Sequence, residues 1–240
     1  MFGKSIEQAA GEYLQASYQE KQRLRPILLK DPAKSAAYLL LSGIISLRNY
    51  SRERLTTSYR NAPSYLYDEA MSQARQVTEG ITEFVTSAGG EAIMEICRLI
   101  KSKEAPIAIQ ACFVLLNINS LSSAALQELD YSLHHLNGAL PEKARVHVGG
   151  LAVCVQAQNN FGQAYSVLQR EAQKKGSDWR EVTHNFIASG YDFILIPGQP
   201  GMKSEPKIQE QRDNNSNDAA AAWYAYYTFW DPDNAPWNHD

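Results

Sequence analysis

Two apolar stripes in residues 141–176 leave this chain little choice of architecture. Pro141 stands where a first helical turn tolerates it, since its φ is already helical and it has no N–H to lose. Val148, Leu151, Ala152 and Val155 follow at helical spacing, and Asn159-Asn160 breaks the run. Phe161, Ala164, Tyr165 and Leu168 resume it, and Gly176 stops it. The spacing predicts two short antiparallel helices. A hairpin cannot bury both stripes by itself, so other helices must cover them.

The rest of the chain supplies those helices. Ser5 with Gln8 forms a capping box, and the first helix is expected to run to about Leu24, with Pro26 interrupting it. Asp31-Pro32 starts a second helix, apolar nearly all round through Leu47 and therefore central. Residues 48–60 read as a polar, basic connection. Pro63 starts the longest helix, whose stripe Leu66, Ala70, Ala74, Val77, Ile81, Phe84 and Ala88 ends at Gly89-Gly90. A short amphipathic helix over 91–102 follows, then an apolar one after Pro106. Another, capped by Ser122 or Ser123, carries Leu126, Leu129, Leu133 and Leu136. A capping box at Asp178 and Glu181 opens a last short helix that Gly190 stops. The expected fold is mainly α: an irregular multi-helix domain of packed antiparallel helices over residues 1–190, with a candidate sub-boundary near 50–62.

The hairpin resembles a single tetratricopeptide unit over 144–176. Leu151-Ala152, Val155, Phe161, Ala164 and Leu168 fall near that family's large and small positions, and Asn159 stands where the family usually turns on Gly. The resemblance implies a helix pair in close contact. It covers one hairpin: Asn117, one 34-residue period earlier, stands where Leu151 would demand an apolar residue. An ordinary αα-hairpin in an irregular helical domain fits the same residues.

Beyond Gly190 the composition changes. Tyr191–Ile196 is a short extended segment by its apolar, strand-like run, either packed over the helices or open to strand addition from another chain. Residues 197–218 are polar and rich in proline, and read as a flexible linker. Residues 219–240 form an aromatic C-terminal segment. Within it Trp223, Tyr226, Tyr227 and Trp230 lie at i, i+3, i+4 and i+7 after Asp218 as N-cap, Asp231-Pro232 ends the helix, and Trp237 follows. Trp and Tyr bury large areas with few rotatable bonds and dominate binding hot spots, so these five residues are the candidate partner-binding set. The segment either folds back on its own body or docks on another protein, as helix-in-groove ligands do.

Charge is unevenly spread. The net charge is −3 over 240 residues. Residues 1–60 hold ten Lys/Arg against five Asp/Glu, whereas residues 205–240 hold seven acids against Lys207 and Arg212. Arg48, Arg52, Arg54 and Arg60 are a candidate basic patch: a solvated face is the default reading, an acidic protein surface comes next, the chain's own acidic tail is a further occupant, and nucleic acid is the less favoured ligand, since no nucleic-acid motif accompanies them.

Catalytic signals are weak. Cys97, Cys112 and Cys154 sit in apolar runs and read as reduced core residues. His134 and His135 are adjacent, so a helix turns them about 100° apart, and His147, His184 and His239 have no Glu or Cys at ligand spacing. No metal or cofactor is expected. Gly198–Gly201 is no phosphate cradle, because Pro200 lacks a donor. The longest apolar run, Ala36–Leu47, is too short for a bilayer span, and the N-terminus lacks the apolar core of a secretory signal. The expected role is a non-enzymatic protein–protein interaction module: an accessory or adaptor subunit of a larger assembly such as a secretion machine, cytoplasmic or peripheral to a membrane-bound complex. The alternatives are a helical effector or enzyme with an unrecognised site, and a nucleic-acid binder acting through the N-terminal arginines.

Overall fold

The computed structural model describes residues 4–54, 64–136, 140 and 142–162, with Arg170 and Gln173 beside them. These residues fold into eight helices and no strand: α1 Ile6–Tyr13, α2 Tyr18–Leu28, α3 Pro32–Arg54, α4 Ser64–Ala88, α5 Gly90–Leu99, α6 Ala105–Leu116, α7 Ser123–His134 and α8 Glu142–Gln158. The body of the hairpin's second helix, the segment near 191–196, the linker 197–218 and the aromatic segment 219–240 lie outside the described residues.

Short polar signals set most helix starts. The Ser5 hydroxyl accepts the Gln8 N–H at 3.2 Å, and the Gln8 side chain accepts the Ser5 N–H at 3.1 Å. The Asp31 carboxylate accepts the Lys34 N–H at 3.0 Å, and Ser122 Oγ accepts the Ala125 N–H at 3.2 Å. Gly89, between α4 and α5, has φ +93°, a backbone that a side chain would strain.

Three expectations need correction. The first helix ends at Tyr13, because a second capping box, Ser17 with Glu20, stops it and starts α2. The Ser17 N–H and hydroxyl both donate to the Glu20 carboxylate, and they hold it below its usual pKa. Pro26 lies inside α2 instead of breaking it. It stands in the last turn, where its missing N–H forfeits one bond, and the helix ends two residues later. Finally, residues 48–54 are helix and not connection, since α3 runs on to Arg54. No Gly or Pro lies between Gly43 and Pro63 to stop it.

The core sits where α3, α5 and α6 meet. α3 packs against α1, α4, α5 and α6, while α6 also packs on α8 and α5 also on α7. Ile44 and Leu47 of α3, Ile81 and Phe84 of α4, Ile96 of α5, Ile109 and Leu115 of α6, Leu129 of α7 and Val155 of α8 are all buried. The helix after Pro106 is buried as its composition demands. On α4 the stripe is right for Ala74, Val77, Ile81 and Phe84.

α3 and α4 come close at Gly43. A Cβ there would stand 2.7 Å from Val77 Cγ1 and 3.1 Å from Ile81 Cδ1. Leu14, the residue after α1, is seated beside both Gly43 and Gly80. One helix end is thus held against two others by the absence of side chains. At the far end, Asn159 ties α8 to the loop before α7: its Oδ1 accepts the Leu121 N–H at 2.9 Å, and its Nδ2 donates to the Val155 carbonyl at 2.8 Å. Asn160, at φ +53°, turns the chain out of α8 as the Asn-Asn pair implies.

Candidate functional site

The candidate partner-binding residues Trp223, Tyr226, Tyr227, Trp230 and Trp237 lie outside the described residues, as does Arg60. Arg48, Arg52 and Arg54 fall on α3. In helical register Arg48 and Arg52 are neighbours one turn apart, but Arg54 stands about 120° away from Arg48.

α3 also carries a feature that sequence reasoning missed. Apolar nearly all round, it is expected to be central. Its inner face is buried at Ala36, Leu39, Leu40, Ile44 and Leu47. Its outer face is not. Leu41 is 39% exposed and Ile45 48% exposed, with Tyr38 half-buried one turn before them. The exposed Lys34 ammonium lies 5.8 Å from the centre of the Tyr38 ring, a cation–π contact. The strip reads Lys34, Tyr38, Leu41, Ile45 at spacings of 4, 3 and 4. Other exposed apolar residues, Tyr18, Leu29 and Tyr131, are not part of such a run. Tyr131 is already occupied: the Lys101 ammonium lies 4.6 Å from its ring centre and the His135 ring stacks on it at 4.0 Å.

That tyrosine belongs to a charged face joining α5 to α7. Glu128 takes the Lys101 ammonium at 3.3 Å and the Arg98 Nε at 3.8 Å, and Arg98 also reaches Glu95 at 3.5 Å. The two histidines go separate ways, His134 to Asp130 at 3.8 Å and His135 onto Tyr131. Gln156 of α8 donates to the same Asp130 at 2.8 Å. These pairs are mutually satisfied and tie three helices together at the surface. Among the described residues, no group of three or more His, Cys, Asp or Glu is placed to hold a metal ion. No helix there is long and apolar enough to cross a membrane.

A second missed residue lies in the core. Gln110 of α6 is fully buried and donates to Thr78 Oγ1 at 2.9 Å, while Thr78 donates to the Ala74 carbonyl at 2.8 Å. Gln110 Oε1 has no hydrogen-bond partner. A lone polar residue in an apolar run was the available signal.

The three cysteines are free and buried. Burial first, then the nearby Glu128 charge, with Arg98 partly offsetting them, push the Cys97 thiol up to about 12. Burial likewise raises Cys112 and Cys154, and the Cys112 thiol points to the Val148 carbonyl at 3.8 Å. All three stay protonated near neutrality, so none is a ready nucleophile or metal-binding thiolate. A thiol-specific disulfide reagent should therefore label none of them rapidly in the native protein and all three after unfolding. A fast-reacting native thiol would show that the helices open around it.

No family model matches the chain, and comparison with curated proteins and with solved structures returns no match.

Proposed function

We propose that this protein is a non-enzymatic interaction module, an accessory or adaptor subunit that works by presenting apolar surfaces to other proteins. The observation that carries the reading is the uncovered strip on α3, where Leu41 and Ile45 face solvent on a helix whose opposite face is in the core. A contiguous apolar line on a helix is a contact surface in search of a cover. Trp223, Tyr226, Tyr227 and Trp230, at helical spacing in the sequence, are the candidate docking element. The mutually satisfied ion pairs between α5 and α7 act as ties between helices and leave the apolar surfaces to do the binding.

The test is a pull-down from native lysate with the full chain and with a version ending at Gly198. A protein retained only by the full chain supports docking through the aromatic segment. Proteins held equally by both move the binding surface to the helical body. Failure of both to retain any protein would reject the adaptor reading and send the search to substrates.

A further inference from the structure

We infer that the cover of the α3 strip is the chain's own aromatic segment, docked in cis. This rests on the interaction reading above and names the surface that the segment occupies when no partner is bound. The two elements carry matched patterns. On α3 the spacing of Lys34, Tyr38, Leu41 and Ile45 continues unbroken to Arg48 and Arg52, so in helical register an apolar stretch is bracketed by basic positions at both ends. In the C-terminal segment the order is the same with the sign reversed: Asp218, then the aromatic stripe 223–230, then Asp231 and Asp233.

The lengths agree. Lys34 and Arg48 stand 14 positions apart in the sequence, and Asp218 and Asp231 stand 13 apart. Because both ends of each element carry the same sign, either direction of docking pairs acids with bases. The surroundings agree as well: residues 1–60 carry a surplus of five positive charges, and residues 205–240 a surplus of five negative ones. Neither element is well placed alone in water. Leu41 and Ile45 are exposed aliphatic groups, and a stripe of two Trp and two Tyr is a larger apolar load than a free helix carries without associating. Docked this way, the segment would hold the partner-binding aromatics in reserve, and a partner would have to displace them from α3.

The experiment uses the full-length protein. Trp179→Phe and Trp237→Phe leave Trp223 and Trp230 as the fluorescent reporters. In this background the two tryptophans should show blue-shifted emission and weak quenching by acrylamide, at every protein concentration. Adding Leu41→Glu with Ile45→Glu should shift the emission to the red and raise the quenching constant several-fold, with helical content by circular dichroism unchanged. Lys34→Glu, an exposed position that does not risk the core, should raise it in part, and more so at low salt. Unchanged quenching in these folded variants overturns the proposal. So does protection that disappears on dilution, because the strip under the tail would then belong to a second copy. The measurement involves no partner, so it stands or falls separately from the pull-down.

Discussion

Phe84→Ala should be the most damaging single truncation in the described core, costing about 3–5 kcal/mol of stability. Phe84 is fully buried on α4, and its ring meets Tyr13 of α1 edge-on at 5.8 Å with the planes 73° apart. Truncation removes the ring's own burial, leaves a void that close-packed neighbours cannot fill, and strips Tyr13 of its aromatic partner. That partner matters because α1 is held to the body by few large side chains. Domains of this kind have only about 5–15 kcal/mol of net stability, so the variant will be marginal. Urea unfolding followed by circular dichroism measures the loss as a lowered midpoint. Phe84→Leu, which fills most of the space, should lose much less, and Glu83→Ala, next in sequence but exposed, should change stability by no more than about 0.5 kcal/mol. A loss below about 1 kcal/mol for Phe84→Ala would mean that α1 and α4 do not share one core.

Replacing Trp223 and Trp230 together with Ala should weaken the complex with a protein partner by at least about 2 kcal/mol, roughly a thirtyfold rise in dissociation constant. Two indoles offer large apolar area with few rotatable bonds, and Ala offers almost nothing in their place. The measurement is calorimetry with a partner recovered by the full chain. Unchanged affinity would remove the aromatic segment from the interface. The strip adds a second expectation. Where the partner takes only the aromatic segment, Leu41→Glu with Ile45→Glu frees the indoles and should tighten binding; where the partner also sits on the α3 strip, the same change should weaken it.

Much of the fold was legible because helices announce themselves locally. The box at Ser5 and Gln8, the carboxylate of Asp31 before Pro32, the hydroxyl of Ser122 and the Gly89-Gly90 stop act within four residues of themselves. The errors were of the same scale. Ser17 with Glu20 repeats the signal of Ser5 with Gln8 but lies inside a run of helical spacing that hid it. Pro26 reads as a breaker only when its distance from the helix end is ignored. The surface that carries the functional reading was not legible. Ile44 and Ile45 are adjacent and chemically identical, yet one is buried and the other half exposed.

That contrast marks the division. Where helices begin and end was written in residues a few positions apart, since caps, proline and glycine act through backbone hydrogen bonds and allowed φ/ψ within a single turn. Where apolar residues recur as a stripe, as on α4 and α7, the inner face was legible too, but on a helix apolar nearly all round it was decided only by tertiary structure. An evenly apolar helix such as α3 has no preferred inner side until α1, α4, α5 and α6 pack against it. Gly43 admits α4 on one side, and Leu41 and Ile45 are left facing water on the other, because burial depends on which elements meet and not on the residue that is buried.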